Sequence, residues 1–124
     1  MSEFKSTKFI HDGIKMTDYE KEPFVVGDYE NNEVEFLHLS HENWYTATPY
    51  PYQKRIFGYA ILSRPGKVYI FGGCCDGEWS RVALFKNDKW SEAGTLIQGR
   101  MNLMTLKYGS DIMIIGGKTQ TDTL

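Results

Sequence analysis

The sequence predicts an all-β protein, an incomplete β-propeller built from four-stranded antiparallel blades. The first observation is a repeated strand ending. A glycine pair, Gly72 and Gly73, closes one apolar run, and a second pair, Gly116 and Gly117, closes another run 44 residues later. The second observation is composition. Aromatic residues make up 15% of the chain and it holds 12 glycines, which favours strands joined by many turns.

A tryptophan and an arginine keep nearly the same spacing as the glycine pairs. Trp44 and Trp90 are 46 residues apart, and Arg55 and Arg100 are 45 residues apart. A period in this range indicates a repeat architecture such as a propeller. An indole ring suits the wedge between neighbouring sheets, and an arginine can bind several backbone carbonyls. We therefore interpret these residues and the paired glycines as structural.

Each period contains four predicted strands, of which the first two are the more apolar. The apolar pair is predicted to lie near the propeller axis and the more polar pair at the outer edge. The predicted segments, in chain order, are strand 56–62, turn 63–66, strand 67–73, loop 74–79, strand 80–86, turn 87–88, a short strand around Trp90, and strand 101–106.

The chain accommodates about two and a half such copies in one domain, residues 1–124. We assign a degenerate blade to 10–48, a full blade to 56–95 and a truncated blade to 101–124. In the first copy Gly27 stands alone where a pair is expected at 26 and 27. An open array leaves a sheet face without its neighbour. We therefore expect either a fragment of a longer propeller or self-association through the open blade faces.

These landmarks resemble the kelch repeat, in which a glycine pair is followed by an aromatic residue, a tryptophan, an arginine and the next glycine pair. The resemblance covers about residues 10–124, with Leu39 in place of the aromatic residue and Phe9 in place of an arginine in the first copy. The matching positions are Gly72, Gly73, Phe85, Trp90, Arg100, Gly116 and Gly117 in the stronger copy, and Gly27, Leu39, Trp44 and Arg55 in the weaker one.

Membership of this family implies a β-propeller and, most often, a protein-interaction platform whose ligands sit on loops around the central channel. Two sets of loop residues are candidates for contacting a protein partner. Phe57 and Asn102 follow the arginines, and we expect their replacement by alanine to weaken partner capture without changing thermal unfolding. The second set follows the glycine pairs and comprises Cys75, Asp76, Glu78 and Trp79, with Lys118 and Gln120 in the next copy.

The residues do not predict catalysis, a cofactor or a metal. There is no glycine-rich phosphate loop and no nucleophile with an obvious base. His38 and His41 lack a third ligand other than Glu42. The alternative is a propeller enzyme of the galactose-oxidase-like type, which needs tyrosine, histidine and cysteine ligands; no histidine follows His41.

Charge and hydropathy bear on partners and location. The net charge of −2 gives no general attraction to nucleic acid or to an anionic membrane. No apolar stretch approaches the length of a membrane helix, and the first residues lack the apolar core of a signal peptide. We expect a cytoplasmic protein whose neighbouring cysteines, Cys74 and Cys75, are free thiols in a turn, because a disulfide between neighbours closes a strained ring.

Overall fold

A computed structural model describes residues 8–10, 23–28 and 30–120. Within them the protein is all-β, with mostly antiparallel sheets and without a helix, which confirms the predicted class at this level. No helix long and apolar enough to cross a membrane occurs in these ranges. The parts of the first and last predicted copies at 11–22 and 121–124 lie outside the described residues.

Twelve strands form two four-stranded sheets and two short pairs over the described ranges. The strands are β1 (Lys8–Ile10), β2 (Phe24–Val26), β3 (Val34–His38), β4 (Asn43–Ala47), β5 (Ile56–Phe57), β6 (Ala60–Arg64), β7 (Lys67–Phe71), β8 (Cys74–Cys75), β9 (Arg81–Lys86), β10 (Lys89–Thr95), β11 (Met104–Tyr108) and β12 (Asp111–Ile115).

The first sheet has the strand order β1-β4-β3-β2, and the second has the order β10-β9-β7-β6. All neighbours in the second sheet are antiparallel, as predicted for the most complete copy. The first sheet departs from the prediction, because β1 runs parallel to β4 at its edge. The strands β11 and β12 form an antiparallel hairpin, and β5 pairs with β8.

Two tight turns of the second sheet follow from their residues. Gly66 takes a φ of +76° after Pro65, the arrangement that a type II turn requires between β6 and β7. Asn87 and Asp88 both have positive φ, 53° and 58°, as in the two-residue turn that matches the twist of a hairpin. The turns predicted at 63–66 and 87–88 are confirmed, although β6 extends to Arg64.

The apolar runs 56–62 and 101–106 are not continuous strands, contrary to the prediction. Gly58 adopts a φ of +72° and separates β5 from β6, and Asn102, the second residue of the run 101–106, adopts a φ of 55° before β11 begins at Met104. A left-handed residue turns the backbone away from an extended path, so pairing stops there. The hydrophobic pattern alone does not reveal this break.

The turn before the strand of Trp44 is longer than the turn before the strand of Trp90. Four residues separate β3 from β4, whereas two residues separate β9 from β10. Leu39 therefore lies in the turn and is 49% exposed, and the residue opposite Trp44 is Leu37. Phe85 stands opposite Trp90. The expected equivalence of Leu39 and Phe85 is wrong, because it assumed turns of equal length.

Gly27 and Gly72 hold equivalent places at the ends of β2 and β7. Each has a positive φ, 58° and 65°, and each donates its N–H to a backbone carbonyl. Gly27 donates to Glu33, just before β3, at 2.7 Å, and Gly72 donates to Arg81, the first residue of β9, at 2.9 Å. The missing glycine of the first pair thus corresponds to Asp28, not to position 26 as expected from the sequence.

Two hydrophobic clusters join the sheets. The first lies between the two four-stranded sheets, and the second lies between the second sheet and the β11–β12 hairpin. The first contains Val26, Val34, Phe36, Tyr45, Ala47, Tyr50, Ile56, Val68, Ile70, Ala83 and Phe85. The second contains Ala60, Leu62, Phe71 and Leu103, with Tyr69, Val82, Leu96, Ile112 and Ile114 packed against it. Sheet packing on both faces explains the near-continuous apolar character of β7.

Candidate functional site

A polar cavity of about 510 Å³ lies between the segment that precedes β5 and the loop that follows β8. Its walls mix hydrogen-bonding groups with charges of both signs. The lining residues are Asn32, Pro51, Tyr52, Gln53, Lys54 and Asp76. Of the candidate partner-binding residues in the sequence, Asp76 is the one that lines this cavity.

Gln53 is the most informative residue of the cavity. Its side chain is only 4% exposed, yet neither amide atom has a hydrogen-bond partner among the described residues. Its aliphatic part lies against the backbone of Gly77, where an added Cβ would come within 3.0 Å of the Gln53 Cγ. A buried polar group without a partner typically costs about 1–3 kcal/mol. Most such groups in native proteins are paired, so this amide calls for an explanation.

A bidentate ion pair stands at the edge of the cavity. Arg55 donates from Nε and Nη2 to the two carboxylate oxygens of Asp76, at 2.9 and 2.8 Å. The hydrogen bond from Arg55 holds the pKa of Asp76 below its usual value, and the hydrogen bond to Asp76 raises the pKa of Arg55. Arg55 was expected to bind backbone carbonyls, but it binds this carboxylate. Solvent screens the exposed pair, so its main effect is to orient Asp76.

A cluster of aromatic and charged side chains lies beside the cavity. The Arg81 guanidinium stacks over the Tyr52 ring, with 4.8 Å between Cζ and the ring centroid, and its Nε donates to Glu92 at 2.7 Å. Tyr50 packs edge-on against Tyr52, with 5.4 Å between centroids. Tyr50 is fully buried, and burial raises the pKa of its hydroxyl to about 12. These contacts hold Tyr50 and Tyr52 in place, directly before the lining residues Gln53 and Lys54.

One face of the β11–β12 hairpin is apolar and exposed. Met104 stands opposite Ile115, and Leu106 stands opposite Met113, so their side chains share this face. They are 58%, 43%, 50% and 42% exposed, respectively. The neighbouring Tyr108, two residues beyond Leu106, is 69% exposed. We call these five residues the open hairpin face.

The residues that lie 44 positions before the open hairpin face, the spacing of the two glycine pairs, are covered in the structure. Subtracting 44 from the positions of its aliphatic and methionine members gives residues of β6 and β7. Those residues belong to the second hydrophobic cluster, where the hairpin itself covers them. The corresponding pairs are Met104 with Ala60, Leu106 with Leu62, Met113 with Tyr69 and Ile115 with Phe71.

The other candidate partner-binding residues do not gather at one site. Phe57 is half-buried and pairs with Cys74, while Asn102 is exposed and donates its N–H to the Gly58 carbonyl. Glu78 is exposed, and Trp79 is half-buried with its carbonyl accepting the Arg100 N–H at 3.0 Å. The remaining candidates, Cys75, Lys118 and Gln120, are exposed. Lys118 forms an isolated antiparallel bridge with Met101.

Trp90 and Arg100 contact neighbouring sheet elements, whereas the first hydrophobic cluster does not include Trp44. Trp90 packs on the first hydrophobic cluster, and its Nε1 donates to the Thr48 carbonyl at 2.8 Å. Trp44 is half-buried and lies on the face of β4 opposite to the buried Tyr45. Arg100 donates from Nη1 to the Gly116 carbonyl at 2.9 Å and from Nε to the Gln98 carbonyl at 3.3 Å.

The residues considered for metal or redox chemistry are placed as follows. Cys74 and Cys75 form a disulfide with each other, so the expectation of free thiols is wrong. The rings of His38 and His41 stack with their centroids 4.3 Å apart, and Nδ1 of His41 is 2.9 Å from the Tyr45 hydroxyl. Within the described ranges, no three His, Cys, Asp or Glu side chains gather in a way that could hold a metal ion.

No family model matches this chain, and no curated protein matches its sequence. Matches among solved structures include a chain described as "Structure of YjhT", at 15% sequence identity and a TM-score of 0.35. The similarity covers 73% of this chain and 46% of that chain. This chain therefore spans less than half the length of that neighbour.

Sequence reasoning missed most of the cavity. Asn32, Tyr52, Gln53 and Lys54 are ordinary polar or aromatic residues without a motif, and three of them fall between the Trp44 and Arg55 landmarks. A weak signal was present there, because two prolines interrupt the sequence after β4 and make a further strand unfavourable. That signal predicts a loop but not a cavity, since the other wall comes from Asp76.

Proposed function

We propose that this chain is a non-catalytic protein-interaction module, and that it forms part of a longer kelch-type propeller. The observation that carries the proposal is the open hairpin face. It exposes Leu106 and Met113 at positions whose equivalents, Leu62 and Tyr69, pack under a neighbouring sheet element. Contiguous apolar surface of this kind marks contact with another protein surface.

The occupant of the open hairpin face is inferred from the repeat itself. The surface that covers Leu62 and Phe71 is one face of the β11–β12 hairpin, on which Ile112 and Ile114 pack. An equivalent β-sheet face with aliphatic side chains therefore fits the open hairpin face. Such a sheet belongs either to a further repeat of the same polypeptide or to a second copy of the chain. The partner is a protein in both cases.

The candidate loop residues supply the second part of this proposal. Asp76 and Glu78 lie on a loop that a sheet scaffold holds in place, through the pairing of β8 with β5. Residues on loops of rigid scaffolds commonly make binding contacts. We propose that this side of the module contacts a protein partner, while the open hairpin face completes the propeller.

Sedimentation equilibrium of the purified 124-residue chain tests the proposal. We expect a mass above the 14.3 kDa of one chain, rising with concentration, because the open hairpin face meets a second copy. Leu106→Lys should shift the distribution toward the monomer, since a charge there cannot be buried without a partner. Ile97→Lys is the matched control, because Ile97 is fully exposed outside the hairpin. A monomer at all concentrations, with a cooperative unfolding transition, would contradict the proposal.

A further inference from the structure

We propose that the cavity around Gln53 binds the main chain of an extended peptide segment, with the Gln53 amide pairing the N–H and the C=O of one residue. This inference rests on the proposed function, since it specifies how the module would contact a protein partner. It commits to main-chain recognition at this cavity, which neither the repeat pattern nor the open hairpin face implies.

The unpaired amide is the first argument. A glutamine carboxamide presents one acceptor oxygen and a donor NH₂ group side by side, and in Gln53 both atoms lack a partner among the described residues. In an extended chain the N–H and C=O of the same residue point to the same side. One such residue can therefore satisfy both atoms of the carboxamide at once.

The charges of the cavity are the second argument, because they favour a neutral ligand. Lys54 and Asp76 place one charge of each sign on the lining, and Arg55 already holds Asp76 through two hydrogen bonds. Asp76 would repel an anion, and Lys54 and Arg55 would repel a cation. A neutral polar group, such as a peptide unit, avoids both repulsions.

The third argument is that hydrogen bonds hold in place the part of the cavity wall that contains Asn32. Asn32 donates from Nδ2 to the Tyr50 carbonyl at 2.7 Å, and its own carbonyl accepts the Tyr50 N–H at 2.9 Å. This double connection fixes the segment that leads to Gln53. A wall that is fixed before the ligand arrives loses little conformational freedom on binding.

The Gln53 amide must turn to meet a ligand, because both of its polar atoms are shielded from solvent in this structure. We propose that rotation about its side-chain bonds turns the amide toward the ligand; the last of these torsions in glutamine is broad and not confined to narrow staggered wells. The aliphatic part can stay in contact with Gly77. We expect binding to leave the sheets unchanged, because the proposed adjustment involves a side chain.

Side-chain amide resonances of Gln53 in the ¹⁵N-labelled chain provide the test. The probe is N-acetylalanine N-methylamide, which offers the N–H and C=O of one residue. We expect a saturable shift of the Gln53 resonances. N-acetylsarcosine N-methylamide lacks the N–H of that residue and should bind at least about tenfold more weakly, because one hydrogen bond is lost. Gln53→Met should abolish binding, whereas Gln98→Met, at an exposed glutamine, should not.

Two results would overturn the inference. One is equal binding of the alanine and sarcosine probes, or a saturable shift with methyl glucoside instead, since either shows that main-chain pairing is not recognised. The other is the absence of any shift while the chain still associates through the open hairpin face. The second result removes the peptide site and leaves the proposed function standing.

Discussion

Asn102 and Gly58 join the segments that precede β11 and β6, because the Asn102 N–H donates to the Gly58 carbonyl at 2.6 Å. The two residues are 44 positions apart and both are left-handed, with φ of 55° and 72°. Each lies just before the strand that follows it, β11 or β6. The two positions thus share a backbone conformation that glycine adopts at one and asparagine at the other, the two residue types that adopt it most readily.

Because both residues have positive φ, we expect replacement of either one by alanine to destabilise the folded chain. Gly58→Ala should lower the free energy of unfolding by at least about 1–2 kcal/mol, since φ is positive and the new Cβ would lie 2.9 Å from the Met101 Cε. Asn102→Ala should lower it by about 1 kcal/mol, and Asn102→Gly should be nearly neutral. Urea unfolding followed by circular dichroism measures these changes.

This prediction differs from the expectation, drawn from the sequence alone, that Asn102→Ala leaves thermal unfolding unchanged. Gly94→Ala is a suitable control, because Gly94 does not have a positive φ and a Cβ there meets nothing within 4 Å. Equal stability of Asn102→Ala and Asn102→Gly would contradict the role assigned to the left-handed turn.

Replacement by alanine should change stability differently at Gly72 and Gly116, the first glycines of the two pairs. Both have positive φ, 65° at Gly72 and 68° at Gly116. A Cβ on Gly72 would clash with the Arg100 carbonyl oxygen, whereas a Cβ on Gly116 meets nothing within 4 Å. We expect Gly72→Ala to destabilise the chain by about 1–3 kcal/mol more than Gly116→Ala, because backbone must shift only at Gly72.

Thermal or urea unfolding of the two variants measures this difference. Similar losses of stability at both positions would show that the nearby Arg100 carbonyl is not the reason why residue 72 must be glycine.

The buried Tyr50 hydroxyl predicts a loss of stability at alkaline pH. Burial raises its pKa from 10.0 to about 12, so the unfolded chain releases this proton before the folded chain does. The stability that the folded chain gains from the raised pKa of Tyr50 is therefore complete below pH 10 and is lost as pH rises toward 12. We expect it to reduce the free energy of unfolding by about 2–3 kcal/mol over that interval.

Urea unfolding at pH 9 to 12 measures the effect. Tyr50→Phe should remove this part of the pH dependence, while Tyr108→Phe should leave it, because Tyr108 is 69% exposed. An unchanged profile in Tyr50→Phe would assign the alkaline transition to another group.

The ion pair of Arg55 and Asp76 predicts an effect in the acid range. The hydrogen bond from Arg55 lowers the pKa of Asp76 from its usual 3.8, so the unfolded chain takes up this proton first as pH falls. Any stabilisation from the pair is present above the usual pKa and is lost as pH falls through the lowered value. NMR titration of the Asp76 carboxyl carbon should show a low midpoint.

Arg55→Met should return the Asp76 midpoint toward its usual value, and Lys54→Met is the neighbouring control because Asp76 bonds to Arg55 rather than to Lys54. A midpoint that ignores Arg55 would mean that the pair does not persist in solution.

The all-β class and the antiparallel second sheet could be predicted from the sequence, because the landmarks recur and the turn residues have strong local preferences. The turn at Asn87 and Asp88 is an example, since both residue types tolerate positive φ. The breaks at Gly58 and Asn102 were missed although glycine and asparagine are the residue types that adopt positive φ most readily, because the strands were assigned from the apolar residues on either side. Hydrophobic periodicity records burial, whereas these breaks depend on backbone dihedral angles.

The candidate site shows a different limit of sequence reasoning. Asp76 was selected from its position after a glycine pair, and it does line the cavity. Gln53 carries no motif, and its importance arises from a lack of hydrogen-bond partners, which only three-dimensional packing determines. The role of Arg55 was also unpredictable, because carbonyls and a carboxylate are both within the chemistry of a guanidinium.

The open hairpin face is the central claim, and hydroxyl-radical footprinting read by mass spectrometry tests it most directly. Met104 and Met113 are 58% and 42% exposed on that face, while Met101 is half-buried away from it. We predict that oxidation of Met104 and Met113 falls as the protein concentration rises, with little change at Met101. Oxidation of Met104 and Met113 that stays constant over the whole concentration range would contradict the account.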